Sequence, residues 1–247
     1  QPDWLVPDWP APSHVKAVFT TRAGGVSVPP YDTMNLGDHV GDEPDHVAVN
    51  RDRLAQALGV APVVMQQVHG THVARLPMRQ AKDVCADAVL TTQPAQVATI
   101  LVADCLPVLF ADRAGRCVAA AHAGWRGLAG GVLGHTVEAF RDTSTKNSSD
   151  QASRQPLNGL DATEIIAWLG PCIGPLAFEV GPEVHQAFVQ ADPASGAYFK
   201  PQGTKFYADL AAIARADSVT TTDSRPAGTA IPLHSAAART IAATRRI

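Results

Sequence analysis

Three apolar runs crowd into the middle of this chain, at residues 97–103, 107–112 and 116–121, each of strand length. Uninterrupted runs of this kind read as strands buried on both faces, although period alone also admits a buried helix. Strands covered on both faces point to a mixed α/β domain, an α+β sandwich in which layers pack around a sheet. The polar residues beside the runs are therefore the ones to examine for chemistry: Asp104 and Cys105 follow the first run, and His122 follows the third.

The remaining pattern fits a single domain over residues 1–247. Residues 15–21 are β-branched and aromatic and predict a strand, followed by a glycine turn at 22–27. Residues 45–58 place Val47, Leu54 and Leu58 at helical spacing, with Gly59 as the stop. A short strand is predicted at 63–68, running into His69-Gly70. A helix is predicted at 128–141, after Gly124-Trp125-Arg126-Gly127. A further strand at 164–169 meets Gly170-Pro171-Cys172-Ile173-Gly174, and 182–190 reads as a helix. Residues 1–14 carry four prolines and read as an extended lead-in, while 143–162 are polar and aperiodic and read as a surface insertion.

Composition narrows the function classes. At 247 residues and 46% hydrophobic, the chain can bury a substantial core. Twenty Lys+Arg against twenty-three Asp+Glu give a formal charge of −3, which offers no electrostatic reason for a nucleic-acid or anionic-membrane partner. Asp104, Asp112 and Arg113 interrupt the most hydrophobic region before it reaches membrane-spanning length. The first residues lack the basic start and apolar run of a signal peptide. The four cysteines, at 85, 105, 117 and 172, form no CxxC pair, so a zinc ribbon or thioredoxin-type motif is poorly supported. These features predict a reduced, cytoplasmic protein.

Three segments share one arrangement, in which an apolar strand ends and a metal-capable residue sits in the following turn. They are Gln66-Gln67-Val68-His69-Gly70, Ala103-Asp104-Cys105-Leu106-Pro107 and Ala121-His122-Ala123-Gly124-Trp125-Arg126-Gly127. His69, Cys105 and His122 would form a His₂Cys set, leaving a fourth tetrahedral position for water or substrate. Their separations of 36 and 17 residues match no short zinc motif. The same atoms equally suit a Cys105 nucleophile with a His122 base, and each residue alone has a bland reading as a turn or core residue.

Arg22 and Arg126 are each embedded in a glycine turn, where a guanidinium can reach phosphate or carboxylate. Gly127 also precedes a predicted helix start, which favours anions. No GxxxxGK[ST] or strand-coupled GxGxxG occurs. Asp38 and Asp42 around Gly41 read as turn formers. His72, His39, His46, His135, His185 and His234 lack a comparable context and read as structural or exposed.

These segments, with Thr21-Arg22-Ala23-Gly24-Gly25-Val26-Ser27, Asn35-Leu36, His39-Val40-Gly41-Asp42, Ala86-Asp87-Ala88 and the 170–174 turn, resemble the bacterial multicopper polyphenol oxidoreductase (laccase-like) family, described as zinc-dependent purine nucleoside phosphorylases. The resemblance runs from about residue 15 to about residue 212. It implies a single-domain sandwich similar to cysteine-hydrolase-like deamidase toxins, with one zinc (copper being possible) on His69, Cys105 and His122 as catalytic centre. It implies phosphorolysis of adenosine, inosine, guanosine and methylthioadenosine, with adenosine deamination as a second activity. Purine nucleosides and phosphate would be the partners, met by Arg22, Asn35, Gln67, Asp104, Arg126 and Cys172. One His₂Cys site has too few ligands for a multicopper cluster.

The chain departs from the family at its end. Relatives usually carry a Cys-Thr segment and a Phe-Ser-Tyr-Arg-Arg-like motif, whereas residues 217–247 here are rich in Ala, Thr and Arg, lack Phe, Tyr and Trp, and show little core periodicity. That atypical C-terminus keeps other readings in play: a Cys-His amide hydrolase, a polyphenol oxidase, or a non-catalytic nucleoside- or metal-binding module.

Overall fold

The computed structural model describes residues 4–78, 84–142, 164–217 and, as backbone, 239–245. Its centre is a five-stranded sheet in the order β2-β3-β6-β5-β7, formed by β2 (Val73–Arg75), β3 (Ala88–Thr91), β5 (Leu106–Asp112), β6 (Val118–Ala123) and β7 (Ile165–Leu169). All pairs are antiparallel except β2 with β3. A second sheet joins β1 (Val15–Phe19), β11 (Arg239–Arg245) and β4 (Val97–Val102) in that order.

The period-2 geometry of a strand explains the uninterrupted apolar runs. Leu106, Val108 and Phe110 of β5 face one way, toward α2 (Trp125–Ala129), α3 (Val132–Asp142), α4 (Pro182–Ala191) and α5 (Leu210–Ala216). Leu109 and Ala111 face the other, toward β1 and β4. β6 repeats the alternation with Ala119, Ala121 and Ala123 against Val118 and Ala120. Both faces are dry, and each large side chain so buried contributes about 1.5–3 kcal/mol. A small sheet of β8 (Glu179–Val180), β10 (Lys205–Ala208) and β9 (Phe199–Gln202) adds Val180, Phe199 and Ala208 to the helical side of the core.

Helix α1 (Pro44–Leu58) ends where Gly59 turns left-handed at φ 71° and its N–H reaches the carbonyls of Ala55 and Gln56. Its buried Asn50 organises the preceding loop, accepting from Val26 N at 2.9 Å and donating to the carbonyls of Thr33 at 3.1 Å and Asn35 at 2.8 Å.

Several expectations need correction. Residues 63–68 form no strand; one isolated bridge joins Gln66 to Cys85, and the segment is docked on β4 by a side chain instead of a ladder. The helix expected at 128–141 is two helices, because Gly131 adopts φ 87° and interrupts the axis between α2 and α3. His122 lies within β6, not in the turn after it. The segment expected to lack core character contributes β11, antiparallel to both β1 and β4 and lying between them. The polar insertion at 143–162 lies outside the described residues.

Candidate metal centre

The ligand atoms of His69, Cys105 and His122 all lie within 4.8 Å of one another. Each arrives from a different element. Cys105 sits in the three-residue crossing from β4 of the second sheet to β5 of the central one. His122 is the penultimate residue of β6, paired across the ladder with Pro107. His69 projects from the loop before β2 and adopts φ 59°, a left-handed conformation that a residue with a Cβ enters only when its surroundings enforce it.

Asp87, fully buried just before β3, supplies that enforcement. Its carboxylate accepts the N–H groups of Val68 at 3.1 Å, His69 at 2.8 Å and Gly70 at 2.7 Å. It also accepts the Nδ1–H of His122 at 2.8 Å. Burial would raise the Asp87 carboxyl, but the His122 bond and the Gly70 and Val68 amides outweigh it and hold it below the ordinary value. Burial likewise pushes His122 down, yet Asp87 and Cys105 more than offset this and raise it to about 9. His69 moves the other way, lowered by burial and then by His122.

Two glycines keep the centre open. A Cβ on Gly124 would lie 2.6 Å from His69 Cδ2 and 3.0 Å from Cys105 Sγ, and one on Gly127 would lie 2.8 Å from the Gly70 carbonyl oxygen. The donor set fits a metal ion. Cys105 Sγ lies 3.7 Å from His69 Nε2, close to the roughly 3.6 Å edge expected of a tetrahedral zinc site from its Zn–S and Zn–N bond lengths. With Nδ1 of His122 committed to Asp87, its Nε2 is the nitrogen left for the centre. Among the described residues no second group of three such side chains occurs.

The other expected site residues divide. Arg126 is exposed on α2, its guanidinium 4.3 Å over the Trp125 ring, and its charge reaches His69. Cys172 is half-buried; burial first, then the charges of Asp209 and Cys105, push its thiol up to about 12. Asp104 is exposed, and its carbonyl accepts Ile173 N at 2.9 Å, tying the Cys105 turn to the 170–174 turn. Gln67 instead has a folding role: its amide donates to Leu101 O and accepts Leu101 N, each at 2.7 Å. Asn35 is buried, donating to Gly37 O at 3.0 Å and Asp42 at 2.9 Å. Arg22 is held by Asp32, with Nε 2.6 Å from its carbonyl and a guanidinium nitrogen 2.9 Å from its carboxylate.

Asp42 is spent on Ser27, Asn35 and Glu43, and Asp38 pairs with Arg51 at 3.2 Å, as expected of turn formers. His234 lies outside the described residues, and among those described none of the remaining histidines joins the three. The sequence reading missed Asp87 as a site residue. The one local signal was an acid between two alanines at the mouth of an apolar strand.

Fold and site together define a mixed α/β domain built around one three-donor centre. The chain belongs to the multi-copper polyphenol oxidoreductase laccase family, whose model matches residues 16–221. The purine nucleoside phosphorylase YfiH of Escherichia coli (strain K12) is 49% identical over 213 residues, covering 85% of this chain and 80% of that one. The purine nucleoside phosphorylase PA4543 of Pseudomonas aeruginosa is 46% identical over 215 residues, covering 86% and 80%. The crystal structure of Neisseria meningitidis protein NMB0706 superposes with a TM-score of 0.87 at 36% identity, covering 99% of this chain and all of that one. No helix among the described residues is long and apolar enough to cross a membrane.

Proposed function

We propose that this chain is a zinc-dependent purine nucleoside phosphorylase acting on adenosine, inosine, guanosine and methylthioadenosine, with adenosine deamination as a second activity. The observation that carries the reading is the convergence of His69, Cys105 and His122 within 4.8 Å in a chain 49% identical to a protein of that name. One thiolate and two imidazoles suit zinc, and a single group of three supports one ion, not a copper cluster. Bound there, zinc supplies a Lewis acid beside the substrate.

The chain's own residues do the rest. Phosphorolysis breaks the bond from ribose C1′ to the purine nitrogen and forms a bond from C1′ to a phosphate oxygen, so an anion must be held next to the centre. Arg126 is placed for that task, its guanidinium steadied on Trp125. Arg22, pre-oriented by Asp32, is the second cation for phosphate. Cys172 keeps its proton and offers a neutral wall, which suits a purine better than a charged one. Asp104 meets substrate at the rim.

Chromatography of adenosine incubated with the protein, with and without phosphate and beside His122→Ala, tests this. Phosphate-dependent adenine, lost in the variant, is the expected result; inosine formed without phosphate marks the deamination. Turnover of an amide substrate that survives chelation would favour a Cys105 nucleophile instead. Nucleoside bound with no product formed would favour a binding module.

A further inference from the structure

We infer that Asp87 is a positioning residue that sets two of the three metal ligands at once, through one carboxylate. The inference rests on the metal reading of His69, Cys105 and His122. Oδ1 accepts both His69 N and His122 Nδ1, each at 2.8 Å, and Oδ2 accepts Val68 N at 3.1 Å and Gly70 N at 2.7 Å. Three consecutive amides converging on one anion form a nest, and that nest holds the 68–70 turn with His69 at φ 59°. The same oxygen that takes His69 N fixes the His122 ring with its proton on Nδ1 and its Nε2 toward the centre. The backbone adds a further tie, since His122 N donates to Asp87 O at 2.7 Å. Cys105 is placed separately, by the crossing from β4 to β5.

Four donors share two oxygens, so an amide cannot replace the carboxylate. Asparagine has one acceptor oxygen, and its NH₂ would face two N–H donors in either orientation. Asp87→Asn therefore disturbs both histidines together while leaving the Cys105 turn in place. A partner that only orients a ligand changes metal affinity by roughly 10–100-fold. Two histidines share this one, so the expected loss lies at the upper end of that range.

The test is zinc affinity by competition with a chromophoric chelator, for wild type, Asp87→Asn and Leu54→Ala. Leu54 is buried in a separate cluster under α1, so its variant reports loss of stability without a change at the ligands. A zinc affinity about 100-fold weaker in Asp87→Asn, with Leu54→Ala near wild type, is the expected result. Affinity in Asp87→Asn equal to that of Leu54→Ala overturns the inference. Wild type that binds no zinc fails the metal reading itself, a separate outcome. Should Asp87→Asn not fold, nitrogen NMR of the zinc-loaded wild type decides: a proton on His122 Nδ1 supports the assignment, and a proton on Nε2 overturns it.

Discussion

Gly124 lies one step beyond the paired residues Leu106 and Ala123, directly across from Cys105, and a Cβ there would come 3.0 Å from the Cys105 sulfur. The same Cβ would meet His69 Cδ2 at 2.6 Å, so a single methyl group wedges two ligands apart. Gly124 needs this space and not an unusual conformation, since its φ is −64°. Gly124→Ala is expected to weaken zinc binding by about 10–100-fold, the range for displaced ligands. The fold is retained, because the clash falls on side chains at the surface end of the sheet. Chelator competition beside a thermal melt checks both halves of the statement.

His122 links stability to pH in the metal-free protein. Its value of about 9 stands above the ordinary 6.5, so the stability it contributes is complete below about 6.5 and is lost as pH rises through about 9. A metal ion competes for the same nitrogen, so its binding strengthens over that window. The denaturation midpoint of metal-free wild type should therefore fall between these pH values, and by less in His122→Gln. The extra stability conferred by zinc should grow over the same interval. A zinc effect that shrank as pH rose would contradict the assignment.

Gln67 stands in for a missing strand. Its amide pairs with both backbone groups of buried Leu101, and alanine would leave that N–H and C=O without these partners. Gln67→Ala should cost about 1–3 kcal/mol of stability, measured by urea unfolding. Gln67→Glu, which keeps the acceptor and loses the donor, should not restore it.

Arg126 can be separated from the metal ligands by kinetics. If its guanidinium holds phosphate, Arg126→Ala raises KM for phosphate by about 10-fold or more and leaves zinc content unchanged. Arg126→Lys should recover part of the loss, since an ammonium keeps the charge without the planar fork. Equal effects on the nucleoside and phosphate KM would remove Arg126 from the phosphate site.

Much of the fold was legible because burial leaves a local trace. The runs that became β4, β5 and β6 announced themselves by lacking polar residues, and α1 by spacing and its glycine stop. The helix interruption at Gly131 was less legible, since two adjacent glycines in an apolar pattern do not say which one turns left-handed. β11 was illegible: an Ala- and Thr-rich strand between two others has little pattern of its own, and its place is set by the ladders on either side.

The site divides along the same line. Sequence by itself determined the donors, His69, Cys105 and His122, because thiol and imidazole chemistry is written in residue type and each stands beside an apolar run. Only the tertiary structure decided that they meet, that Asp87 holds two of them, and that Gln67 and Asn35 serve the scaffold. Convergence across 36 and 17 residues depends on strand register and on a crossing between two sheets. A buried carboxylate shared by four donors exists only once the backbone from 68 to 70 has folded over it, because its partners are amides that every residue carries and no sequence marks.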